Sequence, residues 1–275
     1  MRDFKDNLLR GLLWLSAFLS VAVLLMIVGF IFYKGMGLIS FEFIFGDYSP
    51  EGGGGIWPMI VTTVYTIVIS LIIATPIGIL AAVYLHEYAK QGRLVRIIRF
   101  ATESLTGIPS IIYGLFGAVF FVTTLKLGMS IIAASLTLTI IVLPVIIRTT
   151  EESLKTVPAS YREGSLALGN TKLQTLYKVI LPSAMPGILS GIILSIGRIV
   201  GESAAIFLTA GTVAAMPESI FSSARTLTVH SYLVTQEAGD IELAAAVGIV
   251  LIVIILAINF SATYISKKLN KATNK

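Results

Sequence analysis

A chain of 275 residues that is 56% apolar and only 13% charged, with a mean hydropathy of +0.91, has the composition of a polytopic membrane protein. A soluble domain carries roughly twice that share of charge, so soluble enzymes and soluble binding modules are excluded. The net charge of +5 is a topology signal rather than a nucleic-acid footprint, and the absence of cysteine excludes disulfides and thiolate metal sites.

A spanning helix needs about 20 mostly apolar residues. The sequence predicts six of them, in an all-α fold: Leu12–Phe32, Pro58–Leu85, Ser104–Leu125, Ser130–Ile147, Gly187–Ala210 and Ile241–Ile265. The first run is too long for a signal-peptide core and no small-residue cleavage site follows it, so it is expected to stay as an anchor. The 33–57 loop carries Glu42, Asp47 and Glu51, then Gly52–Gly55. Those glycines lack the strand and helix context of a phosphate loop and read as a turn into the second span. Pro76, Pro109 and Pro144 are expected to kink their helices. The 211–240 loop is expected to hold a short helix at the outer surface, or one dipping into the membrane, and offers a docking surface for an external protein. His86 and His230 fall at opposite membrane edges and read as surface residues. The organisation expected is an N-terminal span with its loop (1–57), a core (58–265) containing the loop 149–182, and a tail (266–275).

Lysine and arginine set the orientation. Sixteen of the 20 cations flank the spans on one side, three (Lys34, Lys126, Arg225) lie on the other, and Arg198 is inside a helix. Both termini and the 149–182 loop are therefore expected in the cytoplasm.

That loop contains the one long polar interruption between two very apolar helices, Glu163 to Pro182, EGSLALGNTKLQTLYKVILP. Ser160 with Glu163 has capping-box spacing. Gly169 and Asn170 read as a helix stop with φ above zero at the glycine. A second helix is expected from Thr171, with Leu173, Leu176, Tyr177 and Ile180 on one side, broken by Pro182 and Pro186. These residues resemble the cytoplasmic signature of bacterial ABC importer permeases, Glu-Ala-Ala, three residues, Gly, nine residues, Ile-x-Leu-Pro. Glu163, Gly169, Leu181 and Pro182 match at that spacing, while Gly164 and Ser165 stand for the alanines and Val179 for the isoleucine. The stretches GGGGIWP, LHEYAK, LPVIIRTTEESLKTVP and IGRIVGESAAIFLTAG are similar to the phosphate-specific permeases, to the PstA type more than the PstC type.

The resemblance implies a type I ABC importer permease fold and a phosphate-translocating subunit at the cell membrane. Its implied partners are a second, PstC-like permease, a PstB-like ATPase dimer and a PstS-like external phosphate-binding protein. It also implies that Glu163, Gly164, Ser165, Ala167, Leu168 and Gly169 form the coupling helix seated on the ATPase. The chain contains no Walker A motif and no Gly-Lys dipeptide, so no ATP or magnesium site and no catalytic residue is expected in it.

Arg198 lies near the middle of the fifth predicted span, where a guanidinium costs about 2.5–3.5 kcal/mol on insertion scales. Glu202, four residues on, is expected on the same helix face. The pair reads either as a structural ion pair or as part of a translocation path, since the arginine fork suits an oxyanion and a carboxylate beside it would keep the anion from being trapped. Arg148 reads as an interface anchor or a pathway residue, the resemblance favouring the pathway. Glu151 and Glu152 read as solvated or as partners of Lys155. Gly187, Gly191 and Ser195 allow close helix packing.

Three other functions fit less. An intramembrane protease would need a mid-span Asp, or a Ser beside His; the sequence has neither, and no His-Glu-x-x-His. A channel or secondary transporter leaves the signature loop without a task. A sulfate or molybdate permease shares every feature that Arg198 accounts for.

Overall fold

The structure, a computed structural model, describes residues 2–49 and 54–273, and those residues are mostly helical, with no strand. Five helical stretches are long and apolar enough to cross a membrane, and a helix pair bent by 100° makes a sixth when its two arms are taken as one span. The chain is an all-α, multi-pass membrane protein. Glu51, Gly52 and Gly53 lie outside the described residues.

The first span is α1, Arg2–Gly35, followed by a short α2, Phe41–Phe45, whose Ser40 hydroxyl accepts from the Phe43 amide. The second is α3, Trp57–Val83, which starts with Pro58 in its first turn and runs on through one wide π-type turn at Tyr84–Tyr88. The third predicted span is not one helix. Amphipathic α4, Arg93–Thr106, meets α5, Ser110–Gly117, at the 100° bend, and Ala118–Thr124 continues α5 as a wide turn. Pro109 sits in the bend and cannot continue a helix begun before it. The bend leaves α4 with an exposed apolar side, Leu94, Ile97 and Phe100.

The fourth span, α6 (Ile131–Lys155), is longer than the sequence suggests, because Arg148 to Lys155 stay helical past the apolar run. It is the hub: α3, α4, α5, Leu181–Val200 (α9) and Ala204–Ala210 (α10) all pack on it. Leu138, Val142 and Ile146 on α6 are fully enclosed by Ile67 and Ala74 of α3 and Ile196 and Ile199 of α9. Without a hydrophobic force between helices in lipid, small residues and shared hydroxyls hold such contacts. A Cβ at Gly187 would collide with Ser153, and one at Gly191 with Thr149, so both glycines let α9 sit flush on α6. Ser195 is fully buried on the same face. On the other side of α6, Ser70 donates to the Ser135 carbonyl at 3.2 Å and Thr139 to the Ser70 carbonyl at 3.3 Å.

Between α6 and α9 lie α7, Ala159–Ala167, and α8, Lys172–Thr175. Pro182 and Pro186 do not break the second of these as the sequence suggests. A wide π-type turn at Leu176–Ile180 joins α8 to α9, so that Lys172–Val200 is one continuous helical stretch of 29 residues. The widened turn absorbs the hydrogen bond that proline cannot donate. The last span is α12, Ile241–Thr273, against which α1 and α9 pack.

The 211–240 segment holds α11, Leu227–Leu233, as expected. Its Leu227 amide donates to Thr63 of α3 at 3.0 Å. His230 is not a surface residue. It is 2% exposed, its Nδ1 has no hydrogen-bond partner, and the edge of its ring meets Tyr48, over which Arg225 lies at 4.7 Å. Burial, and then the Arg225 charge, push its pKa down from 6.5 to about 4. Between those values the unfolded chain binds a proton that the folded chain refuses. Stability is therefore full above pH 6.5 and falls as pH drops towards 4, by up to about 3 kcal/mol. In detergent, the unfolding temperature should fall over that window, and His230→Phe should flatten the fall. An unchanged slope in the variant would assign the acid sensitivity to other groups.

Candidate functional site

Helix α9 stops at Val200, the chain is non-helical through Gly201–Ser203, and α10 resumes at Ala204. The fifth predicted span is therefore a broken one, and both of its charges stand at the break. Arg198 is in the last turn of α9, where the carbonyl end of the helix dipole favours a cation. Glu202, 8% exposed, is in the gap, and its Oε1 accepts the Ala205 amide at 3.2 Å. The carboxylate thus meets the amide end of α10, which favours an anion. The free carbonyl of Val200 is taken by Thr228 of α11 at 2.5 Å.

The expectation that Arg198 and Glu202 share a helix face is corrected by this geometry. The four-residue spacing spans a helix end, and among the described residues no ion pair joins the two. Arg198 is half-buried and has no carboxylate partner among the described residues. From α5, the Tyr113 hydroxyl donates to the Leu105 carbonyl at 2.7 Å. Gly114 lets α5 approach the Ala205 backbone so closely that a Cβ would lie 2.8 Å from the Ala205 Cα.

The end of the bundle that bears most lysines and arginines carries the signature hairpin. Helix α7 starts after Pro158, not at Ser160, so the predicted capping box does not form. Ser160 lies inside the helix because Pro158 already fixes the chain for its first turn. The stop is as expected. Gly169 has φ +85°, its amide bonds the Leu166 carbonyl at 2.9 Å, and the Asn170 amide bonds the Ser165 carbonyl at 3.3 Å, a Schellman pair. Thr171 and Gln174 form a reciprocal capping box at the start of α8.

Ser165, which the signature spacing treats as a plain stand-in for alanine, ties the hairpin together. It is buried, its hydroxyl lies 2.9 Å from that of Thr175, and it accepts from Asn170 at 3.1 Å. The other signature residues, Glu163, Gly164, Ala167, Leu168 and Gly169, are all exposed. Leu168 is 85% exposed at the hairpin tip, a large apolar side chain with no cover in this chain.

Arg148 lines a cleft of about 220 Å³ between α4 and α6 at the same end. Its side chain is more than half exposed and meets two carboxylates, Glu152 at 3.0 Å and Glu103 of α4 at 3.5 Å. Glu151 is neither solvated nor a partner of Lys155. It is buried, and Arg99 of α4 donates to it at 2.7 and 3.0 Å while also reaching Gln91. The Arg99 partnership was hidden by sequence distance, although the helical spacing of Arg96, Arg99 and Glu103 on one side of α4 was there to read.

Residues 74–271 match the family described as "Binding-protein-dependent transport system inner membrane component". A probable ABC transporter permease protein, YqgI of Bacillus subtilis, is 34% identical over 98% of this chain and 98% of its own length. The phosphate transport system permease protein PstA 1 of Mycobacterium tuberculosis is 34% identical over 80% of this chain and 73% of its own. PstA of Pasteurella multocida is 36% identical over 76% and 75%. Among solved structures, a bacterial alginate ABC transporter chain superposes with TM-score 0.68 at 15% identity, over 97% of this chain and 98% of that one. A chain of the MetNI methionine transporter gives 0.60 at 22%, over 78% and 94%. The broken fifth span, the signature hairpin and these likenesses agree in one assignment: the chain belongs to the family of binding-protein-dependent transport system inner membrane components, with a type I ABC importer permease fold and a sequence of the PstA type.

Proposed function

We propose that this permease subunit carries inorganic phosphate across the cell membrane in an importer powered by a separate ATPase. Its partners are a PstC-like second permease, a PstB-like ATPase dimer bound to the α7–α8 hairpin, and a PstS-like external protein that delivers phosphate. The basic end, with both termini, faces the cytoplasm. ATP and magnesium bind the ATPase, and this chain holds no cofactor and catalyses no reaction.

The observation that carries this reading is Arg198, a half-buried cation at a helix break inside a membrane span, unpaired among the described residues. Irregular backbone at membrane depth is tolerated where it is buried in protein or lines a pathway, and half-helix ends in transporters face their substrates. The names of the PstA relatives supply the choice of phosphate. Arg148 is the weaker pathway residue, since an anion would have to displace Glu152 and Glu103 from it. It serves better at the cytoplasmic mouth, holding α4 to α6. Glu202 fixes the start of α10 and adds negative charge beside the path, so that the anion is released as well as held. Glu163 to Gly169 form the face that the ATPase grips, with Leu168 as its apolar contact.

In proteoliposomes containing all the subunits, Arg198→Ala should cut phosphate uptake by roughly tenfold or more, as for a lost charge-assisted hydrogen bond. The ATPase should still co-purify. Normal uptake by the variant would remove Arg198 from the path, and uptake competed by sulfate or molybdate rather than phosphate would change the substrate.

Gly169 provides a second test. Its surroundings are open, so a substitution acts only through the backbone. Gly169→Val forces a β-branched residue to φ +85°, at a cost of about 1–2 kcal/mol, and should lower uptake per ATP hydrolysed. Gly169→Asn tolerates the left-handed region and should keep most of the coupling. Equal coupling in glycine, asparagine and valine forms would contradict a rigid hairpin.

A further inference from the structure

A carboxylate whose side chain is only 4% exposed sits where α3 reaches the basic end of the bundle: Glu87, in the wide turn Tyr84–Tyr88. A buried carboxylate needs a partner, and Glu87 finds one on the hairpin rather than on its own helix. Arg162 of α7 donates through Nη2 to Glu87 Oε1. The other arm of the hairpin holds the same residue. Lys172 of α8 donates to the Glu87 carbonyl at 2.6 Å, and its ammonium lies 4.6 Å above the Tyr88 ring. That carbonyl belongs to the last turn of the helix and has no partner within it. The two arms, ten residues apart in sequence and joined by the Gly169 turn, therefore close on one point of α3. His86 lies 3.6 Å from the same carboxylate.

We propose that Glu87 is a positioning residue for coupling, the point at which movement of the α7–α8 hairpin enters the second span. The inference rests on the reading that an ATPase grips this hairpin. Under that reading a push on the hairpin has two outputs besides its short covalent link to α6 at 156–158. One follows the continuous helix from Lys172 to Val200 and reaches Arg198 at the break. The other passes through Glu87 into α3, which packs along α6. Sliding the hairpin away from α3 would strip Arg162 from a buried carboxylate, and uncompensated buried charge is costly. The Glu87 contacts thus tie α3 to the same hairpin that continues into α9.

The test uses the assembled complex in proteoliposomes, with phosphate uptake and ATP hydrolysis measured on the same preparation. Glu87→Gln, which keeps the shape and removes the charge, and Arg162→Glu, which opposes two carboxylates, should each lower uptake per ATP by about fivefold or more. The ATPase should still co-purify. The exchanged pair, Glu87→Arg with Arg162→Glu, should recover at least about half of the lost coupling. A wild-type uptake-to-hydrolysis ratio in both single variants would overturn the inference. So would uptake, hydrolysis and complex yield falling together, the sign of a merely structural contact. If the wild-type chain neither binds an ATPase nor couples, the parent reading fails and the inference with it, a result distinct from either outcome in the variants.

Discussion

Inside a bilayer a helix cannot stop without leaving amides and carbonyls that no water can reach, and each one left bare costs several kcal/mol. The break between Val200 and Ala204 is a stop of that kind, and the surrounding structure is arranged to make it tolerable. Thr228 takes the stranded Val200 carbonyl, and Glu202 takes the stranded Ala205 amide. The short helix α11 is pinned to α3 through Thr63, which holds Thr228 in place. Arg198 is left at the end of α9 with no carboxylate opposite it among the described residues. On the proposed reading, a folding constraint and a binding requirement are thereby met at one place. The stranded backbone groups are satisfied by the protein, and Arg198, unpaired among the described residues, is a charge that an anion can use.

The rest of the molecule connects that break to the basic end. Helix α6 is packed on most of its circumference and serves as the fixed post. Gly187 and Gly191 bring α9 hard against it, and hydroxyls on α3 and α6 stitch the opposite side. The hairpin is rigid for local reasons: a Schellman stop at Gly169, a capping box at Thr171, and Ser165 bonded across to Thr175 and Asn170. A rigid hairpin continuous with α9 can pass movement on, whereas a floppy one would absorb it.

Much of this was legible in the residues. Composition and the spacing of apolar runs gave the membrane class and the approximate spans. The glycine at 169 was legible because left-handed backbone at a helix end has few other solutions. What escaped has physical causes. Helix ends inside an apolar run leave no trace in hydropathy, so the stop at Val200 is invisible in the sequence, whereas Pro109 marks the bend that follows Thr106. Arg198 and Glu202 were accordingly paired by a periodicity that ends between them. In the other direction, Pro182 and Pro186 were read as breaks, because a wide turn that accommodates proline cannot be told from sequence. Partnerships between distant segments were equally hidden: Glu151 with Arg99, Glu87 with Arg162, and His230 beneath Tyr48. Glu151 and His230 look like surface residues until the helices are brought together.

The central claim is that the charge at position 198, and not merely its bulk, carries the anion past the break. Because the chain contains no cysteine, Arg198→Cys creates a single reactive position in a complex whose partner subunits have been made cysteine-free. The untreated variant should be inactive in phosphate uptake. Modification with a cationic ethylammonium thiol reagent should restore a substantial part of the uptake, while a neutral or anionic reagent of similar size should restore none. Recovery that is equal for all three reagents, or full activity before any reagent is added, would contradict the account.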